Sequence, residues 1–146
     1  GFGIAFLAQG LLFLAVGVVR RRLVFAFRAD VYGWTGALFV GYALAIYPAL
    51  GGLLGHGYPQ APMFGVAPCP TTIFTFGVLL WTVRPVPLWL LVIPGLWSLI
   101  GVTAAVRLGI LEDIGLLGAA LVGTGLLFVR DHRSGAPSAP LTEPPP

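Results

Sequence analysis

The sequence predicts an all-α fold, a polytopic bundle of transmembrane helices, and three observations support this prediction. The 146 residues are 58% apolar and 9% charged, with a mean hydropathy of +0.96, whereas a soluble domain carries about 25% charged residues. Five apolar runs follow one another along the chain, separated by short connections. The arginines that flank the runs cluster in alternate connections, as expected for a chain that crosses a membrane repeatedly.

The five runs define the predicted helices, because a span needs about 20 apolar residues to cross roughly 30 Å of hydrocarbon. The predicted spans are Gly1–Val19, Val31–Leu50, Thr71–Val83, Leu88–Val106 and Ile114–Val129. Pro94 is expected to kink the fourth span. The first run begins without methionine, a basic region or a cleavage-site pattern, so we expect further helices to precede Gly1 in a longer protein.

The third run is the exception, because its 13 residues make a helix of about 20 Å, which is too short to cross alone. We therefore expect part of the uncharged connection Gly51–Pro70 to enter the membrane beside it. Irregular backbone is tolerated at that depth only where it is buried in protein or lines a polar cavity. This region, residues 51–72, is the first candidate for a binding site.

The distribution of arginines predicts the orientation of the bundle. Seven of them share one side: Arg20, Arg21, Arg22, Arg28, Arg84, Arg130 and Arg133. The other side has Arg107 alone, so the positive-inside rule places the seven in the cytoplasm. Residues 1–133 are then a bundle in the bacterial inner membrane, with Gly1 and loop 51–70 periplasmic and the Pro-rich tail 134–146 cytoplasmic. The arginines are expected to contact the lipid bilayer, and no motif among them indicates nucleic acid as a partner.

Small residues recur at every fourth position in two predicted helices, where they are expected to form helix-packing interfaces. The second helix carries Ala29, Gly33, Ala37, Gly41, Ala45 and Ala49, and the fifth carries Gly115, Ala119 and Gly123. Such ladders let helix backbones approach closely in lipid. Such ladders form contacts within a bundle and also contacts with other membrane protein subunits. We favour contacts within the bundle here, and contacts with other subunits are the alternative.

The side opposite the seven arginines collects the residues that could bind a ligand. They are His56, Met63, Cys69, Thr71, Thr72, Glu112 and Asp113. Histidine, methionine and cysteine suit Cu(I) or Zn, but their spacing matches no metal motif, and one cysteine with one histidine falls short of a closed site. A hydrogen-bonding loop histidine, an apolar methionine and a small buried cysteine explain them more simply. No metal and no cofactor is therefore predicted.

The hydroxyls and carboxylates of this group also have structural explanations. Thr71 or Thr72 is expected to be the N-cap of the third helix, with anion binding at the same helix start as the less favoured alternative. Glu112 and Asp113 begin the fifth predicted helix, where the helix dipole stabilises carboxylates. A proton-handling role is the alternative for these two acids.

Five motifs along the chain are distinctive. They are Ile46-Tyr47-Pro48, Gly55-His56-Gly57-Tyr58-Pro59, Pro68-Cys69-Pro70-Thr71-Thr72-Ile73-Phe74-Thr75-Phe76-Gly77, Leu91-Val92-Ile93-Pro94 and Leu96-Trp97-Ser98-Leu99-Ile100-Gly101. Together they resemble a family of uncharacterised bacterial multi-pass membrane proteins, a domain of unknown function. The resemblance extends from Gly1 to Arg133 and leaves out the tail. It implies a helical protein of the inner membrane with a longer N-terminus, and it implies no activity.

Catalytic constellations are missing from the sequence, which contains neither a Ser/His/Asp set nor a Gly-rich phosphate loop. No charged residue or histidine lies near the centre of a predicted span, where ion-coupled carriers place such residues. We therefore expect a non-catalytic membrane protein, an accessory subunit of a larger bacterial membrane complex of the respiratory or photosynthetic kind. The alternative is a transporter or sensor for a small molecule or metal, with its site at loop 51–72. An enzyme is the least favoured of the three.

Overall fold

The computed structural model of the chain describes residues 2–53, 55, 64–108 and 114–134, and these residues form five helices and no strand. The helices are α1 (Phe2–Leu14, continued by the π-helical turn Ala15–Val19), α2 (Val31–Gly41, the π-helical turn Tyr42–Ile46, then Tyr47–Leu53), α3 (Pro68–Leu80), α4 (the 3-10 turn Leu88–Leu91, then Val92–Leu108) and α5 (Ile114–Ser134). The all-helical prediction is therefore confirmed for this part of the chain.

Three of the helices are long and apolar enough to cross a membrane, by length and composition. They are Val31–Leu53, Leu88–Arg107 and Ile114–Arg133, whereas Gly3–Val19 and Pro68–Leu80 are shorter. α3 begins at Pro68 rather than at Thr71, because proline fits the first helical turn, where an N–H would have no helical partner. α5 continues past its predicted end to Ser134, so residues 130–133 form its last turn.

The short helix α3 is the centre of the bundle, with α2, α4 and α5 packed around it. Ile73, Phe76 and Leu80 are fully buried, and no residue between Pro68 and Leu80 is exposed. A helix that is apolar and buried on every side is typical of the core of a bundle. In a bilayer, the longer helices α2, α4 and α5 would therefore span the hydrocarbon, and α3 would not.

Two glycines bring the backbones of α2 and α3 into contact. A Cβ on Gly77 would lie 2.9 Å from the Gly36 carbonyl oxygen, and a Cβ on Gly36 would lie 2.7 Å from the Gly77 carbonyl oxygen. Trp81, at the end of α3, donates its Nε1–H to the Gly33 carbonyl oxygen at 3.0 Å beside this contact. Since no side chain fits between the two backbones, both positions require glycine.

The helix α5 packs against α3 and α4 along one face. Its buried residues recur at the three- and four-residue spacing of a helix face, and they are Leu116, Ala119, Gly123, Leu127 and Arg130. Gly123 faces the Phe76 ring, which lies 3.0 Å from the position of a Cβ, and Gly115 faces the Tyr42 ring in the same way at 2.5 Å. The small residues of α5 thus lie in contacts within the bundle.

The helix α1 lies at the edge of the bundle and packs against α4. Its one polar side chain, Gln9, is 4% exposed and donates from Nε2 to the Leu90 carbonyl oxygen at 3.0 Å. In a regular helix this carbonyl accepts from the N–H four residues later, but that residue is Pro94, which has no N–H. Gln9 therefore supplies the donor that Pro94 lacks.

We expect Gly36→Ala to force α2 away from α3 and to lower the free energy of unfolding by about 1–3 kcal/mol, because the methyl group would overlap the Gly77 backbone. Reversible unfolding in mixed detergent micelles measures this loss. Gly41→Ala is the matched control on the same helix, since no heavy atom lies within 4 Å of its Cβ position and alanine favours a helix over glycine. Equal stabilities for the two variants would contradict the close contact.

We expect Gln9→Leu to lower the free energy of unfolding by about 1 kcal/mol, the usual net contribution of one intramolecular hydrogen bond. Pro94→Ala restores an N–H four residues after Leu90, and this N–H can replace the Gln9 donor. The loss caused by Gln9→Leu should therefore shrink in the Pro94→Ala background, and a double-mutant cycle measures the difference. An equal loss in both backgrounds would show that Gln9 does not compensate for Pro94.

Candidate functional site

The hydroxyl of Thr71 joins the described residues 65–67 of the candidate region to the start of α3. This oxygen accepts the Gly65 N–H at 3.0 Å and donates to the Ala67 carbonyl oxygen at 2.7 Å. Ala67 has extended backbone and is the N-cap of α3, so the prediction that Thr71 or Thr72 caps the helix is wrong. The earlier start of the helix at Pro68 places both threonines inside it.

The two prolines at the start of α3 remove half of the donors that an anion would need. The first four N–H groups of a helix normally lack a helical partner, and here they belong to residues 67–70. Pro68 and Pro70 have no N–H. Thr72 is fully buried, and its hydroxyl donates to the Pro68 carbonyl oxygen at 2.8 Å. At most two of the four backbone donors therefore remain for the anion-binding alternative.

The structure places three members of the candidate group, Cys69, Thr71 and Thr72, at the start of α3, where Cys69 is half-buried. The other members lie outside the described residues, and they are His56, Met63, Glu112 and Asp113. Among the described residues, no group of three His, Cys, Asp or Glu side chains could hold a metal ion. The described geometry of the group is therefore that of a helix start closed by its own hydroxyls.

The first two members of the α2 ladder belong to the turn that leads into the helix. Ala29 is exposed and precedes the helix, whose N-cap is Asp30. The Oδ1 atom of Asp30 accepts the Gly33 N–H at 2.9 Å, and a Cβ on Gly33 would collide with the Arg28 carbonyl oxygen. Gly33 is therefore required by this turn rather than by a neighbouring helix.

The rest of the α2 ladder moves from the inside of the bundle to its outer surface. Ala37 is half-buried, whereas Gly41, Ala45 and Ala49 are exposed. Positions four residues apart are offset by about 40° on a helix of 3.6 residues per turn. Successive residues of a four-residue ladder therefore point further and further round the helix. After two steps they no longer face the helices packed against α2.

A buried arginine joins the end of α5 to the connection between α3 and α4. Arg130 is 6% exposed, and its Nη1 atom donates to the Thr82 carbonyl oxygen at 2.9 Å. Its Nε atom pairs with Asp131 Oδ1 at 2.8 Å. Asp131 in turn accepts the Val86 N–H with its Oδ2 atom at 2.9 Å. This ion pair therefore positions the whole connection.

Backbone hydrogen bonds attach the connection between α1 and α2 to the same end of the bundle. The Ala26 N–H donates to the Trp81 carbonyl oxygen at 2.9 Å, and the Val83 N–H donates to the Val24 carbonyl oxygen at 2.7 Å. Together with the Arg130 contacts, they gather the seven arginines of the sequence pattern at one end of the bundle. We call this region the arginine end, comprising residues 20–30, 81–87 and 130–133.

Sequence reasoning grouped Arg130 with the other arginines and missed its contacts. The available signal was weak: Asp131 follows Arg130 directly at the end of an apolar run, where a charge is expensive unless it is paired. The other partners are backbone groups of Thr82 and Val86. Since every residue has these groups, no side-chain pattern could identify them.

We expect Arg130→Leu to lower the free energy of unfolding by about 3 kcal/mol, because it leaves the largely buried Asp131 carboxylate without its cation. Arg133→Leu removes the same charge from an exposed position of the same helix turn and should change the stability little. Arg130→Leu should also speed hydrogen exchange of the Val86 N–H, which Asp131 accepts, because the connection is then released. Equal exchange rates of this N–H in the two variants would contradict the role of Arg130.

Comparison with known proteins adds a family but no activity. No curated protein and no solved structure matches the chain at a significant level. A model described as a family of unknown function (DUF6064) matches residues 1–138, which include all five helices. The match confirms that the chain resembles a family without an assigned activity, and the chain belongs to this family of unknown function, DUF6064.

Proposed function

We propose that the chain is a multi-pass membrane protein that acts without catalysis, as an accessory subunit packed into a larger membrane complex. The observation that carries the proposal is an exposed face of small residues on α2. This face runs along Gly41, Ala45, Ala49 and Gly52, all of them exposed. No heavy atom lies within 4 Å of a Cβ position on Gly41 or Gly52. We call these four residues the outer face of α2.

A face of small residues favours a second helix as a neighbour, because the two backbones can then approach closely. The backbones of α2 and α3 approach each other in this way at Gly36 and Gly77, on the opposite side of α2. The π-helical turn Tyr42–Ile46 holds more residues per turn than an α-helix. Four residues of this turn therefore make less than one full turn of the helix, which offsets the drift of the ladder along the α-helical parts. Gly41, Ala45 and Ala49 consequently keep a common outward direction.

The outer surface of the bundle supports a location in lipid. Large apolar side chains are exposed along one stripe of α1, formed by Ile4, Leu7, Leu11, Leu14 and Val18. Contiguous apolar patches of this kind are rare on soluble monomers. The gathering of seven arginines at one end supports a cytoplasmic position for the arginine end, by the positive-inside rule. We extend the proposal to the bacterial inner membrane, with a respiratory or photosynthetic assembly as the host.

Native mass spectrometry of the full chain, extracted with mild detergent from its own membrane, tests the proposal. We expect the chain to copurify with partner subunits at fixed stoichiometry. The double variant Gly41→Leu/Ala45→Leu should reduce the bound fraction at least ten-fold, because each leucine would hold a partner backbone away from α2. Both substitutions enter open space in the monomer, so the bundle itself should keep its fold.

The variant Gly10→Leu is the matched control for this experiment. Gly10 is an exposed helical glycine on α1, with no heavy atom within 4 Å of its Cβ position, and its substitution should leave the complex intact. A lone monomer extracted from the native membrane would contradict the accessory-subunit function. Release of the chain from membranes by alkaline carbonate, without detergent, would contradict the membrane location itself.

The alternative function, a transporter or sensor at loop 51–72, gains no specific support from the described residues. The hydroxyls of Thr71 and Thr72 are engaged within the start of α3, and His56 and Met63 lie outside the described part. Loss of transport or ligand binding in variants of His56, Cys69 and Thr72, with assembly unchanged, would favour the alternative over our proposal.

A further inference from the structure

An apolar groove of about 360 Å³ lies between α1 and α3 at the arginine end. Its volume falls in the range of about 300–1,000 Å³ that is usual for ligand pockets. The residues that define its walls are Phe13, Gly17, Leu23, Phe74, Val78 and Leu79. The hydroxyl of Thr75, which also lines it, donates to the Thr71 carbonyl oxygen at 2.8 Å. The walls thus suit an alkyl chain rather than a polar ligand.

Three arginines form the turn between two segments that line this groove. The chain lines the groove at Gly17, leaves α1 through Arg20, Arg21 and Arg22, and lines it again at Leu23. All three arginines are exposed. The ion pairs that the described residues contain join other arginines to Asp30 and Asp131. Among the described residues, no ion pair joins Arg20, Arg21 or Arg22 to a carboxylate, so three unpaired positive charges lie in the turn beside the lining residue Leu23.

The backbone of this turn is held in a conformation that favours glycine. Arg21 has a φ angle of +46°, and the Arg22 N–H donates to the Val16 carbonyl oxygen at 3.0 Å. A residue in the left-handed conformation ends many helices, and it is usually glycine. A non-glycine residue there costs of order 1 kcal/mol, and such strain is found preferentially at ligand-binding sites. Arginine thus occupies a position where glycine would give a more stable backbone.

The combination of charge and groove identifies the class of ligand. We propose that the groove and the Arg20–Arg22 turn bind one anionic phospholipid, with its phosphate at the three arginines and one acyl chain in the groove. From Phe74 to Leu79 the groove follows α3 for about 7.5 Å, which accommodates the part of the chain nearest the headgroup. The inference rests on the membrane location proposed above, but it does not require a host complex.

Native mass spectrometry of the full chain in detergent, with equal amounts of dioleoyl phosphatidylglycerol and dioleoyl phosphatidylcholine, tests the site. We expect one phosphatidylglycerol to bind preferentially at a 1:1 ratio. Each arginine near a membrane surface contributes about a five-fold preference for anionic lipid, so Arg20→Gln/Arg21→Gln/Arg22→Gln should weaken binding about 100-fold. Inorganic phosphate added at millimolar concentration should not displace the lipid, because it lacks the chain that fills the groove.

Two further variants separate the headgroup from the acyl chain. Gly17→Leu should weaken binding at least ten-fold while the arginines are intact. A Cβ on Gly17 would lie 3.7 Å from the nearest atom, an ordinary contact with Leu23, so the added atoms enter the groove. Arg21→Gly should weaken binding about five-fold while it relieves the left-handed backbone, and it replaces the triple variant if that variant fails to fold. Gly10→Leu and Arg133→Gln are the matched controls and should bind normally.

Several outcomes would overturn the lipid site. Equal binding of the two phospholipids in every variant would indicate an unspecific lipid annulus. Normal binding by Gly17→Leu would exclude the groove as the acyl-chain site, and displacement by inorganic phosphate would indicate a simple anion site. A second copy of the chain in place of the lipid would identify a protein interface instead. These outcomes leave the membrane location standing, whereas a chain that stays soluble without detergent would contradict that location.

Discussion

The architecture depends on the backbone contact between α2 and α3 at Gly36 and Gly77. Their carbonyl oxygens leave no room for a side chain on the opposite helix, so the two helices share the closest approach possible for their backbones. This approach buries one flank of α3 and leaves the others for α4 and α5. A helix of 13 residues can then occupy the centre of the bundle, because its neighbours leave none of its residues exposed.

A second constraint is that a buried backbone carbonyl needs a hydrogen-bond donor from the protein itself. Two long-range contacts meet this need with side chains. Gln9 donates to the Leu90 carbonyl that Pro94 cannot serve, and Arg130 donates to the Thr82 carbonyl beyond the end of α3. Gln9 and Arg130 are therefore explained by the backbone, and they mark places where a helix is interrupted or ends.

One proposed surface, the outer face of α2, uses residues of the predicted small-residue ladder, whereas the other, the groove at the arginine end, was not indicated by the sequence. The group around loop 51–72 is represented by a helix start in which Thr71 and Thr72 are engaged with the backbone. The arginine end, in contrast, combines a buried ion pair, a left-handed arginine and an apolar groove. The two proposed surfaces are independent, since the outer face of α2 concerns a protein neighbour and the groove beside α1 concerns a lipid.

The sequence by itself determined the helical class and the approximate helix positions, because apolar runs and charged or Pro-rich connections are local properties of the chain. It also determined which connections carry the arginines. The tertiary structure alone decided which small residues face inward, since a four-residue ladder drifts around the helix and the π-helical turn Tyr42–Ile46 changes its course. It likewise decided that Arg130 is buried and that Arg20–Arg22 lie at a groove, because both results depend on backbone groups and surfaces distant in the sequence.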